Sequence, residues 1–99
     1  MFRTSLITAV LLLAPLSVSA GDVFKGQEVY EQKCAQCHGP RGEGVMINMP
    51  NFSHGESIMK PQMELMQVIR RGKGLMPGFD GQLKSDQIDD VIAYIRSLY

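Results

Sequence analysis

The 99-residue chain has no surplus of either charge, since 10 Lys and Arg stand against 10 Asp and Glu. A nucleic-acid-binding surface needs a basic excess, so that class of function is excluded. No apolar run approaches the roughly 20 residues of a membrane span. The longest, from Leu6 to Ala14, is interrupted by Thr8 and closed by Pro15. Internal repeats and low-complexity tracts are absent, and no segment alternates polar and apolar residues as a half-buried strand does. Cysteine is scarce. The two that exist, Cys34 and Cys37, lie far from the N-terminus, so a lipid anchor has no attachment point there.

What the first twenty residues do contain is ordered. Arg3 provides a positive head, the run from Leu6 an apolar stretch, and Val18-Ser19-Ala20 a set of small side chains before Gly21. This is the layout of a secretory signal peptide removed on export, so residues 1–20 are expected to be absent from the working protein. Residues 21–99 then form one small domain, with 9 Lys and Arg against 10 Asp and Glu. A domain of that size buries a modest core and needs a staple such as a metal, disulfides or a cofactor. Export places it in an oxidising compartment, the periplasm.

The staple is written at Cys34-Ala35-Gln36-Cys37-His38. Two thiols three residues apart, with a histidine directly after the second, form the attachment pattern of a c-type haem. The thiols add across the two vinyl groups of one porphyrin, and the imidazole is held beneath the iron as the proximal ligand. Gly39, Gly42 and Gly44 follow, but their spacing matches no nucleotide-binding fingerprint and no strand precedes them. Their expected role is to allow tight turns beside the cofactor.

Three helices are predicted. The first runs from Val23 to Ala35 with Asp22 as N-cap, its carboxylate accepting from free amides. The second starts at Pro61 and stops at Gly72. The third is capped by Ser85 and carries Ile88, Val91, Ile92, Ile95 and Leu98 at helical spacing, with Asp89, Asp90, Arg96 and Ser97 toward solvent. Loops rich in Gly, Pro and Asn join them. The expected fold is all-α, three to four helices with long loops wrapped around one covalently bound haem.

These residues resemble the class I cytochromes c, in particular the small single-haem bacterial type, over essentially all of residues 22–99. In that family a glycine and an aromatic on the first helix cross the last one; Gly26 and Tyr30 match them, with Val91 and Tyr94 on the partner face. The family also has a proline whose carbonyl accepts from the other nitrogen of the ligand histidine, and Pro50 looks like that residue. Such a bond orients the imidazole and raises its basicity. The family takes its second iron ligand from a Met-Pro step before the last helix, which points to Met76 in Gly74-Leu75-Met76-Pro77-Gly78. A thioether favours ferrous iron and raises the potential above that of bis-histidine ligation. Met59 is the main rival ligand and His54 a weaker one; Met63 and Met66 read as core filler within the second helix, and Met46 and Met49 as pocket lining.

The resemblance implies a monomeric electron carrier, not an enzyme, that shuttles single electrons between respiratory redox proteins. Partners are expected to dock transiently at a haem edge near Cys34 and Cys37. Arg70, Arg71 and Lys73 are candidates for steering an acidic partner. An alternative keeps the haem but opens its sixth position for ligand binding or peroxidase-like chemistry. A thiol-disulfide enzyme would need the C-x-x-C at a strand-to-helix junction. A zinc site of Cys34, Cys37, His38 and His54 would force adjacent Cys37 and His38 onto one tetrahedral ion.

Overall fold

The computed structural model describes residues 2–13 and 21–99. Residues 2–13 carry no regular structure, and the expected cleavage site at Val18-Ser19-Ala20 lies outside the described residues. Four helices follow: α1 Val23–Lys33, α2 Ala35–His38, α3 Gln62–Arg71 and α4 Ser85–Ser97, with a 3₁₀ turn at Phe52–His54. No strand occurs among the described residues, where the one isolated bridge joins Lys73 and Met76.

Helix α1 starts where its sequence directs. The Asp22 side chain accepts from the amides of Phe24 and Lys25 at 2.9 and 3.1 Å. It does not continue to Ala35: Cys34 takes φ −121° and breaks the helix, so Ala35 to His38 form a separate turn. The third predicted helix starts one residue off its expected cap. Lys84 is the N-cap of α4, its amide donating to Gln87 Oε1 at 2.9 Å, while Ser85 is already helical and its hydroxyl oxygen accepts from Arg70 instead. Gly72 ends α3 with φ 77° and ψ 172°, a backbone state favouring glycine but outside the left-handed helical cap.

Helix α1 lies against α4 more extensively than any other pair of helices packs. Close approach is possible because Gly26 has no side chain. A Cβ built there would sit 1.9 Å from the Asp90 carbonyl oxygen and 3.0 Å from Tyr94 Cβ. Tyr30, one turn along, is fully buried with its ring 5.1 Å from that of Tyr94. The crossing is fastened at its end by the Asp22 amide, which donates to Asp90 Oδ1 at 2.7 Å. Asp89 accepts from Gln62 Nε2 at 3.0 Å and so ties α4 to α3. These two carboxylates, expected to face solvent, are half-buried structural acceptors.

The buried face of α4 is Ile88, Val91 and Ile92, and it meets Met66 and Ile69 of α3 together with Phe52, Ile58, Phe79 and Leu83 from the connecting segments. Met66 is core filler as expected, whereas Met63 is 62% exposed. The crossing makes a sharp prediction. Gly26→Ala gains roughly 1 kcal/mol of helix propensity, but overpacking typically costs about 1–3 kcal/mol and here the obstacle is a backbone carbonyl. Net destabilisation is therefore expected, read as a lower urea midpoint with an unchanged slope. A midpoint at or above that of the native protein would show that α1 and α4 do not cross at Gly26.

Candidate haem site

Three segments converge on one cavity of about 990 Å³. That is the upper end of the roughly 300–1,000 Å³ typical of sites for small molecules and cofactors. Its walls include Cys34, Cys37 and His38 from the α1–α2 junction, Met49 and Pro50 from the following loop, and Met76 from the loop after α3. Leu65, Val68 and Ile69 of α3 and Ile92 and Ile95 of α4 supply apolar surface.

The break at Cys34 turns the two thiols and the histidine into a single helical turn, closed by hydrogen bonds from the Cys37 and His38 amides to the Cys34 carbonyl at 3.2 and 3.0 Å. Beyond it the chain doubles back. The Gly44 amide donates to the His38 carbonyl at 2.8 Å and the Phe52 amide to the Gly42 carbonyl at 2.7 Å. Gly39, Gly42 and Gly44 have φ of 88°, 71° and 75°, so the glycines do serve tight turns. This loop brings Phe52 flat against His38, with ring centroids 5.0 Å apart and planes 22° from parallel. The stacking partner was not foreseen; its place next to Asn51, whose side chain accepts from the Ser53 amide to start the 3₁₀ turn, was the available signal.

Electrostatics suit metal ligation. Burial pushes the His38 imidazole below its usual pKa, which keeps a nitrogen lone pair free near neutral pH. Burial, aided by neighbouring Cys37, pushes the Cys34 thiol up to about 11. The Cys37 side is exposed. His38 Nδ1 is buried without a hydrogen-bond partner. The bond expected from it to the Pro50 carbonyl is thus not made here, although Pro50 lines the same cavity. A buried, orphaned imidazole nitrogen is costly, and it marks a ring whose bonding is completed by something other than this chain's present contacts.

Met76 is held by backbone geometry. Lys73 and Met76 exchange amide-to-carbonyl bonds of 3.1 and 3.0 Å across a two-residue turn, Gly74-Leu75, with Gly74 at φ 58°. The turn is clamped to the end of α3, because the Phe79 and Asp80 amides donate to the Ile69 and Arg70 carbonyls at 2.9 and 3.1 Å. Gly72 and Gly78 allow this: Cβ atoms there would lie 2.4 Å from the Met76 oxygen and 2.6 Å from the Arg70 oxygen. Met46 and Met49 line the cavity as expected, but Met59 does not; it is 82% exposed and lies by a separate hollow with Pro61 and Tyr99. His54 is exposed and likewise outside the cavity. Among the described residues no group of three or more His, Cys, Asp or Glu is placed to hold a metal ion, which removes the zinc arrangement.

Of the cations expected at the haem edge, Lys73 lines the cavity and Arg70 and Arg71 do not. Lys33, Lys60 and Lys73 line it, with Glu56 the one acid among its lining residues. Arg70 instead donates to Ser85 at the start of α4, and neither it nor Arg71 lines the cavity.

Two thiols, an imidazole and a thioether around a deep apolar cavity form a donor set that fits a covalently attached iron porphyrin; the fold and site define a c-type cytochrome. Residues 21–95 match the family model described as cytochrome c oxidase, cbb3-type, subunit III. Cytochrome c6 of Thermosynechococcus vestitus is 32% identical over 91 residues, covering 90% of this chain and 80% of the relative. The cytochrome bc1 complex cytochrome c subunit of Corynebacterium diphtheriae is 31% identical over 83 residues, spanning 81% of this chain but 28% of that longer protein. In three dimensions the chain is similar to the crystal structure of cytochrome c6 from the diatom Phaeodactylum tricornutum, with a TM-score of 0.61, 26% identity and coverage of 78% and 93% of the two chains. The chain belongs to the monohaem class I cytochromes c, a family of electron carriers rather than enzymes.

Proposed function

We propose that residues 21–99 are a periplasmic, monomeric single-electron carrier of a respiratory chain, exported by the leader in residues 1–20. Cys34 and Cys37 hold one haem covalently, and His38 and Met76 ligate its iron. The observation that carries this reading is one cavity lined by Cys34, Cys37 and His38 of a single turn and by Met76 of a distant loop. Bound iron would supply the one-electron couple. The chain supplies the rest. Burial keeps the His38 imidazole neutral, Phe52 packs on its face, and the Lys73–Met76 turn fixes the thioether against the cavity. Ligands held by packed rings and clamped backbone rearrange little when charge changes, which is the property an electron carrier requires.

Partner docking follows from the mouth of the cavity. Ile47 and Leu75 line it and are 93% and 88% exposed. Exposed apolar side chains at the opening of a site mark a contact surface, and Lys33, Lys60 and Lys73 stand among them. Lys60 also faces Glu64 at 3.9 Å, a solvent-exposed pair that contributes little. The charge asymmetry favours a partner that presents carboxylates around a small apolar centre. Asp89 and Asp90, which balance the formal charge, are engaged in the helix crossings.

Steering by such groups raises association rates by roughly 10–1,000-fold and fades with salt. Lys33→Glu with Lys73→Glu is expected to slow electron exchange with an acidic redox protein about ten-fold or more at low salt and to flatten its salt dependence. The visible spectrum of the haem should stay native. Arg70→Glu with Arg71→Glu is expected to leave the salt dependence unchanged. Equal slopes for the lysine variant and the native protein would refute docking at this mouth.

A further inference from the structure

Tyr30 holds the haem-binding turn at both ends. Its backbone carbonyl accepts from the Cys34 amide at 2.9 Å, where the turn begins. Its hydroxyl donates to the Gly39 carbonyl at 2.6 Å, one residue beyond His38. The side chain has no solvent exposure, and burial pushes its hydroxyl up to about 12, so it remains a donor across the physiological range. Gly39 is itself buried at φ 88°, and its amide donates back to the Ala35 carbonyl at 2.8 Å. The Gly39 carbonyl also accepts from the Gly42 amide at 3.3 Å within the following turn, so the shorter of its two bonds comes from a side chain delivered by the α1–α4 crossing.

The packing role of an aromatic at position 30 needs only the ring, which lies against Tyr94. The hydroxyl is extra chemistry at a site where a phenylalanine would fill the same space. We infer that Tyr30 is a positioning residue for His38: its hydroxyl fixes the exit of the Cys34–His38 turn and, through it, the angle at which the imidazole enters the cavity. His38 lacks a partner for Nδ1, so its orientation depends on the Phe52 stack and on the backbone at either side. Tyr30 is the side chain that anchors that backbone. This inference rests on His38 being the iron ligand, and its test separates the two.

The experiment compares Tyr30→Phe with Tyr94→Phe in the mature haem-loaded protein. The second variant removes a hydroxyl from the same aromatic pair without touching Gly39. In Tyr30→Phe the Gly39 carbonyl loses the shorter of its two hydrogen bonds and keeps the one from the Gly42 amide, a loss that should speed local opening several-fold. The amides of Gly39 and Gly44 should exchange with solvent that much faster, while amides in α4 keep native rates. The reduction potential and the paramagnetically shifted His38 ring signals should move in Tyr30→Phe and stay in place in Tyr94→Phe. Native exchange at Gly39 and Gly44 in Tyr30→Phe would overturn the clamp. Faster exchange with an unmoved potential and unmoved His38 signals would overturn its link to the iron. A protein that carries no covalent haem at all would overturn the reading of the site instead, and the exchange rates would still decide the clamp.

Discussion

The native protein extracted with acid and organic solvent will keep all of its haem, and the Cys34→Ser/Cys37→Ser double variant will lose all that it binds. Acid protonates imidazole and weakens every non-covalent contact in the cavity, but it does not cleave a carbon–sulfur bond. The effect is therefore all or none, larger than any stability change available to a domain of this size. Intact mass of the native protein should correspond to a chain starting at Gly21 plus one haem. Single variants at either cysteine should stay attached through the thiol that remains. Haem recovered in the organic phase from the native protein would sink the covalent assignment, and a mass that includes Met1 would sink the cleaved leader.

Met76→Ala is expected to abolish the sulfur-to-iron charge-transfer band of the ferric protein and to lower the reduction potential by an amount on the order of tenths of a volt, within the ~0.8 V that haem axial ligation commands. The reason is electronic: a soft thioether stabilises ferrous iron, and water or hydroxide in its place favours the ferric state. The fold should survive, because Met76 is half-buried and its turn is held by main-chain bonds to Lys73 and to the end of α3. Met59→Ala should change neither band nor potential, since Met59 stands 82% exposed beside a different hollow. A native protein already lacking the sulfur band would mean an open sixth position and would turn the site toward ligand binding. If Met59→Ala removed the band and Met76→Ala kept it, the ligand assignment would be reversed.

The haem attachment motif was legible because its chemistry is local. Two thiols and an imidazole must sit on one turn, so their spacing appears directly in Cys34-Ala35-Gln36-Cys37-His38. Capping by Asp22 and the apolar stripe Ile88, Val91 and Ile92 were legible for the same reason, since both are set by neighbours within a few residues. The crossing of α1 and α4 was suggested by Gly26 and Tyr30 only through likeness to a family. In the structure it has a cause of its own, a carbonyl oxygen 1.9 Å from where a Cβ would stand. The cap of α4 was misplaced by one residue because the Gln87 side chain accepts from the Lys84 amide and the Ser85 hydroxyl is engaged elsewhere. Arg70 of another helix took the serine hydroxyl.

Charge was the least legible property. Counting along the chain grouped Arg70, Arg71 and Lys73, yet the cavity is lined by Lys33, Lys60 and Lys73, with Arg70 turned to α4. Which ammonium groups share a surface depends on where the loops return, and no short-range pattern encodes that. The stack of Phe52 on His38, the hydroxyl of Tyr30 on Gly39 and the withdrawal of Met59 from the cavity belong to the same group. The sequence by itself pointed to the cofactor, its attachment points, the helical class and a leader, because each of these readings depends on residues within a turn or two of one another. Only the tertiary structure decided which methionines and which lysines stand at the cavity, because those contacts join segments far apart in the chain.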